Sequence, residues 1–137
     1  MYRVSQHQMS MYDYLPPYHG ELVPRNRWIQ LADAIDWDAF EEEYSQNFGH
    51  SGKVAIPARI ALGSLIIRAA FHISDRQTVD LVRESPYLQY FLGFETFTDK
   101  LPFSARSMEK FRARIPAAKV REAVRLLRSL ETLPPNK

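Results

Sequence analysis

The chain has 137 residues, 45% of them hydrophobic, which is enough for one compact domain with a real core. The absence of cysteine excludes disulfide frameworks, thiol nucleophiles and cysteine-ligated zinc sites. The formal net charge is only +2, yet residues 99–137 carry ten lysines and arginines against four acidic residues, a basic end that suits a polyanion or a solvated helix surface.

Residues 1–22 mix tyrosine and proline without a sustained period, which predicts an extended, flexible arm. They lack the apolar run and the cleavage site of a secretory signal, so no export is predicted. A helical domain is predicted over residues 23–131. Pro24 fits the first turn of its first helix, and Asp36 is placed to cap the second.

The third predicted helix starts at Pro57 and is apolar on most sides, so the rest of the domain must cover it. It is too short for the roughly 20 apolar residues of a membrane span, and no membrane contact is expected. Ser74 and Gln77 have the spacing of a capping box at the start of a fourth helix, and Pro86 opens a short fifth one that stops at Gly93. Because no strand pattern is found, we predict an all-α fold, a compact multi-helix domain with a helix-turn-helix-like arrangement.

Residues 104–115 have the sharpest pattern in the chain. Ser104 can cap this helix, and Met108, Phe111 and Ile115 fall on one side at three- and four-residue spacing. The opposite side carries Arg106, Lys110 and Arg114. The pattern therefore predicts that one side packs against the core while the other presents positive charge.

Pro116 marks the start of a last helix, which has one apolar and one cationic stripe. Four of its apolar residues have the spacing of a seam with a partner helix, namely Val120, Val124, Leu127 and Leu130. A helical interaction or homodimerisation module that does not bind DNA is therefore the alternative function. Residues 132–137 cannot continue the helix and are interpreted as a linker or truncation tail.

A helix-turn-helix places one helix against the phosphate backbone and the next in the major groove of double-stranded DNA. Residues 104–115 fit the second of these helices, with Arg106 in bidentate contact with guanine and the other cations on phosphates. The predicted DNA-binding residues are Arg106, Ser107, Lys110, Arg112, Arg114, Arg121 and Arg125, together with Lys53 on an arm before the third helix. A plain surface helix with solvated cations explains the same pattern equally well.

A second helix-turn-helix is conceivable, with residues 74–84 bracing residues 86–92, but the latter segment carries no cation for phosphate. The chain does not offer the residues that an enzyme's active site would need. The four histidines are scattered without a carboxylate at ligand spacing, and no glycine-rich loop follows a strand. We therefore predict no catalytic residue, no metal ligand and no cofactor in this chain. A degenerate fragment without function is a third alternative.

Four motifs follow one another along the chain. They are a proline-initiated apolar helix at Pro57, a Ser-Asp-Arg helix start at residues 74–76, an aromatic segment that ends in Phe-Leu-Gly at residues 91–93, and a helix that ends in Phe-Arg-x-Arg at residues 111–114. In this order they resemble the N-terminal domain of InsH-like insertion-sequence transposases of the DDE type. The resemblance covers residues 22–115. Ala105 departs from it, because the family often has histidine there.

The resemblance implies a cytoplasmic, nucleoid-associated domain that binds double-stranded DNA at the terminal inverted repeats of a mobile element. In such transposases an RNase H-like core follows and holds the divalent metal ions for strand cleavage and transfer. We expect this chain to be the DNA-binding portion without that core, and hence without catalytic activity of its own.

Overall fold

The computed structural model describes residues 22–47 and 56–131. These two ranges form α1 (Arg27–Ala34), α2 (Trp37–Asn47), α3 (Ala58–Phe71), α4 (Asp75–Glu84), α5 (Pro86–Phe91), α6 (Ala105–Arg114) and α7 (Ala117–Glu131). They contain no strand, and the prediction of an all-α fold is confirmed. Lys53, the tail at residues 132–137 and all of the predicted arm except Leu22 lie outside the described residues. Leu22 itself is buried in the core.

Side-chain caps determine where the helices begin. At α4, Ser74 Oγ accepts a hydrogen bond from the Gln77 amide while Gln77 Oε1 accepts one from the Ser74 amide, which confirms the predicted capping box. The predicted Asp36 cap is also confirmed. The prediction for Pro24 is wrong, because α1 begins only after Asn26, whose side chain accepts the Trp28 amide at 2.7 Å.

The core is built around α3, as its apolar composition predicts. This helix packs against α2, α4, α6 and α7, and most of its residues are buried, with Ile66 and Ile67 completely inaccessible to solvent. Trp28 of α1 completes the core between two other aromatic rings. Its ring lies 5.8 Å from that of Phe71 and 5.0 Å from that of Phe91, centroid to centroid.

Arg59 is a buried cation on this apolar helix. Its Nε donates to the carbonyl oxygen of Phe91 at 2.8 Å and its Nη2 to that of Tyr90 at 3.1 Å, while its guanidinium lies 4.7 Å from the centre of the Trp37 ring. The carbonyls at a helix C-terminus attract a cation, so Arg59 ties the end of α5 to the start of α3. Gly93 follows with a φ of +91°, beside the Arg59 side chain.

The short helix α5 is scaffold and not a reading surface. Residues 88–92 are all buried, which removes the support for the second helix-turn-helix arrangement. Gln89 is completely inaccessible to solvent, and its amide group bonds to the carbonyl oxygens of Val82 and Thr98 and to the Thr98 amide. These bonds fix the segment that connects α5 to α6.

The last helix packs on α1 and α3, and its apolar stripe faces this core. Leu127 is fully buried, while Val120, Val124 and Leu130 are partly buried against the same core. The stripe that the sequence offered as a dimer seam is therefore used within the chain. Among the described residues of α7, Leu126 is the large apolar side chain that remains exposed.

Candidate nucleic-acid interface

Helix α6 has the two-sided character predicted from its sequence. Met108, Phe111 and Ile115 are 0%, 3% and 4% exposed, and the helix packs against α3 and α4. Ser104 caps it as predicted, since its Oγ accepts the Ser107 amide at 3.3 Å. The hydroxyl oxygen of Ser107 accepts the Ser104 amide in return at 3.0 Å. Ser107, a predicted DNA-binding residue, therefore also fixes the start of α6.

The helices α3, α4 and α6 all pack against one another and form a three-helix unit. In this unit α4 packs against α6, and a helix-turn-helix needs such a neighbour for its reading helix. The connection is different, because α5 and residues 92–104 stand between α4 and α6, where a simple motif has a short turn. The short fifth helix predicted from Pro86 is thus confirmed, and it lies between α4 and α6 in the chain.

Arg106 and Lys110 project from the outer side of α6. Both are exposed, and neither has an ion pair or a hydrogen bond within the part of the chain that the structure describes. They lie one helical turn apart on the same side, with Arg106 in the first turn. Their charges are thus available to an outside anion without the loss of an internal contact.

Two further predicted cations of α6 are engaged by the protein itself. Arg112 Nη1 donates to Asp75 Oδ1 at the start of α4, at 2.6 Å, and this hydrogen bond raises the pKa of Arg112. Arg114 donates a hydrogen bond to the hydroxyl oxygen of Tyr44 on α2. Burial raises the pKa of that hydroxyl, and the bond to Arg114 opposes the rise. Two of the α6 cations, Arg106 and Lys110, are therefore unpaired within the described residues, and the other two, Arg112 and Arg114, are bound to side chains of other helices.

The cations of α7 divide in the same way. Arg121 and Arg125 are exposed and make no ion pair within the described ranges. Lys119 contacts Glu43 of α2 at 3.1 Å, and Arg128 donates to the carbonyl oxygen of Ala70 on α3 at 3.3 Å. Arg121 and Arg125 are thus the predicted residues of α7 that remain available, while Lys119 and Arg128 tie the helix to its neighbours.

A groove of about 590 Å³ lies between the end of α1, α2 and α7. Most of its lining is apolar, with Phe40, Leu62 and Leu126 among the larger residues. Its charged lining residues are of both signs, namely Asp36, Glu43, Glu122, Lys119 and Arg125. A polyanion needs a surface of one sign, so this groove is not the nucleic-acid site.

Asp75 lies at the centre of an arrangement that the sequence reasoning missed. Its Oδ1 is 2.6 Å from Arg112 Nη1 and 2.9 Å from Arg68 Nε, which brings α3, α4 and α6 together. The signal in the sequence was Arg68, one of two charged residues in the mostly apolar helix α3. Its partner is seven residues away along the chain and Arg112 is 44 away, so no local spacing reveals the contact.

Within the described residues no group of three or more histidine, aspartate or glutamate side chains is placed to hold a metal ion. None of the helices there is long and apolar enough to cross a membrane.

Comparison with known proteins identifies the family of this chain. Residues 17–114 match the family described as Transposase domain (DUF772). The chain belongs to this family. The resemblance to transposases is thus confirmed at the level of the family, while the narrower assignment to InsH-like enzymes of the DDE type stays a prediction.

One curated relative of this transposase domain is the uncharacterized protein ORF8 in the nfe locus of Rhizobium meliloti. It is 33% identical over 92 residues, which make up 67% of this chain and 44% of that protein. The match thus spans less than half the length of the relative. No solved structure matches the chain.

Proposed function

We propose that this transposase domain binds double-stranded DNA at the terminal inverted repeats of its element. In this proposal it works in the cytoplasm on nucleoid DNA and positions the repeat for a metal-dependent DDE core located elsewhere in the transposase. The domain itself performs no chemistry. The observation that carries the proposal is the outer side of α6, where Arg106 and Lys110 are exposed and unpaired within the described residues.

The absence of internal partners matters energetically. A cation that already bonds to a carboxylate must give up or share that bond to meet a phosphate, whereas Arg106 and Lys110 exchange only water and counterions. Because the apolar side of α6 is buried and its start is capped, these two side chains project from a fixed helix. A positioned arginine can read guanine through two hydrogen bonds, and a nearby lysine can hold a phosphate.

Dimerisation through α7 has less support. Its proposed seam is buried or partly buried against α1 and α3 of the same chain. A partner helix would have to displace that core. We therefore carry DNA binding forward as the function that the geometry supports best.

The test is fluorescence anisotropy with a duplex of the terminal repeat and a scrambled duplex, over a range of salt concentrations. We expect binding whose logarithmic salt slope is about 0.9 per phosphate contact. Arg106→Ala should reduce the discrimination between the two duplexes by about 1–3 kcal/mol. Arg25→Ala, which removes an exposed arginine outside α6 and α7, is the matched control and should leave the discrimination unchanged. The absence of binding to either duplex at low salt would refute the proposal.

A further inference from the structure

Two arginines share one carboxylate oxygen at the junction of α3, α4 and α6. Arg68 Nε and Arg112 Nη1 lie 2.9 and 2.6 Å from the same Oδ1 of Asp75. The Asp75 side chain is 18% exposed, but those of Arg68 and Arg112 are 39% and 40% exposed. One negative charge therefore holds two guanidinium groups whose outer parts still face solvent.

The hydrogen-bonding capacity of Arg68 is not satisfied at this junction. Its Nε is close to Asp75 but makes no hydrogen bond with good geometry, and the atom is buried. Within the ranges that the structure describes, Arg68 forms no other polar contact. A guanidinium has five N–H donors, and those on the two Nη atoms of Arg68 are open to solvent, where they can meet an outside acceptor.

Arg76, the residue after Asp75 in the chain, carries a further guanidinium group. It lies in the first turn of α4, where the helix dipole is positive, and its side chain is 81% exposed. Asp80 Oδ2 is 3.9 Å from Arg76 Nε, while Asp80 Oδ1 is held more closely by Arg83, at 3.1 Å. Because Arg83 pairs with Asp80, three arginines remain against Asp75 and Glu109, and a positive charge is in excess.

We propose that Arg68, Arg76 and Arg112 form a binding site for a phosphate of the DNA backbone, with Asp75 as the residue that holds two of the three guanidinium groups in position. This inference rests on the proposed DNA binding and deepens it. Planar guanidinium groups bind phosphate through paired hydrogen bonds, and a side chain that is already fixed loses less entropy on binding. Contacts of this kind set the position of a protein on the duplex and carry no sequence information.

The spacing along α6 allows one end of the helix to contact bases and the other end to contact a phosphate. Arg106 and Arg112 are six residues apart, or about 9 Å along the helix axis. The major groove is about 12 Å wide between its phosphate strands. A helix with Arg106 at the base edges can therefore bring Arg112, and the junction with α4, to a flanking phosphate. The start of α4 then braces the backbone while the start of α6 reads bases.

The experiment compares Arg68→Gln, Arg76→Gln and Arg112→Gln with the wild-type protein on the terminal-repeat duplex and the scrambled duplex across salt concentrations. Each variant should weaken binding to both duplexes by the same factor. Because the three arginines share one phosphate, which accounts for a slope of about 0.9 in total, the logarithmic salt slope of each variant should fall by part of that amount. Arg83→Gln is the matched control, because Arg83 is on the same helix, is similarly exposed and also pairs with a carboxylate. It should leave the slope unchanged.

The outcomes separate this site from the proposed function. If the wild-type protein binds neither duplex, the proposed function itself fails. If it binds with a steep salt slope and Arg76→Gln keeps that slope, the phosphate site is refuted while DNA binding stands. Circular dichroism and thermal melting check that the Arg68 and Arg112 variants are folded. Arg76 is so exposed that its variant decides the question even if the other two do not fold.

Discussion

The two ends of α6 carry the same kinds of residue in different circumstances. Near its start, Arg106 and Lys110 are unpaired within the described residues, whereas near its end Arg112 is bound to Asp75 and Arg114 to Tyr44. The helix and its spacing are the same at both ends, and the neighbouring helices make the difference. A charge pattern thus reveals which side of a helix faces outward, but the tertiary neighbours decide which charges remain available.

The largest expected effect on stability comes from a substitution on the buried side of α6. Phe111→Ala removes a side chain that is 3% exposed and should lower the free energy of unfolding by about 3–5 kcal/mol. Urea unfolding measures this change. Lys110→Ala, on the outer side of the same helix, should stay within about 0.5 kcal/mol of the wild-type value. Equal losses in the two variants would mean that the helix is not oriented as described.

The next effect concerns the paired end directly. Asp75→Asn removes the carboxylate that holds Arg68 and Arg112 and leaves two guanidinium groups adjacent, so it should destabilise the fold by about 1–2 kcal/mol. We place the loss at this modest level because both arginines are more than a third exposed and solvent screens their charges. Asp38→Asn changes an exposed carboxylate in the first turn of α2 and is the control. Chemical unfolding that finds the two variants equally stable would contradict the role given to Asp75.

A smaller effect is expected at the unpaired end. Ser104→Ala removes the cap of α6 and should cost about 1 kcal/mol of stability. Because the cap fixes the first turn, the same variant should also lower the affinity for DNA through Arg106. Ser129→Ala removes an exposed hydroxyl within α7 and should change neither quantity. Thermal melting and anisotropy measure the two effects, and an unaltered melting temperature in Ser104→Ala would show that the cap does not stabilise α6.

The local features of the fold could be predicted from the sequence because their causes are local. The capping box of α4, the Ser104 cap, the buried side of α6 and the covered helix α3 depend on residues within a few positions of one another. The beginning of α1 was misplaced because Pro24 and Asn26 both fit a helix start, and the hydrogen bond from the Trp28 amide decides in favour of Asn26. Proline at a first turn is a preference, whereas a bonded cap satisfies a backbone donor.

The site was only partly predictable for the opposite reason. The outward side of α6 follows from its period, but the pairing of Arg112 depends on a helix 37 residues earlier in the chain. The seam on α7 was assigned to a partner because its spacing is the same whether the neighbouring helix belongs to another chain or to this one. Sequence spacing shows which residues share one side of a single helix. Which of its charged side chains remain unpaired depends on contacts with other helices, and spacing does not show these.

The smallest expected effect tests the contact between Arg114 and Tyr44, and it depends on pH. Burial raises the pKa of the Tyr44 hydroxyl, with Arg114 opposing, so the folded state holds the phenolic proton more tightly than the unfolded state. The resulting stability is complete below the ordinary tyrosine pKa of about 10 and is lost as the pH rises through the folded value.

Urea unfolding at a series of alkaline pH values should therefore show a fall in wild-type stability that Tyr44→Phe reduces. Arg114→Gln should extend the fall to higher pH and make it larger, since the bond that opposes the rise in the Tyr44 pKa is gone. Arg121→Gln, which removes an unpaired cation of α7, should leave the fall unchanged. An identical pH profile for the wild-type protein and Tyr44→Phe would show that Tyr44 is not the titrating group. The pairing at the end of α6 would then rest on the contact between Arg112 and Asp75 alone.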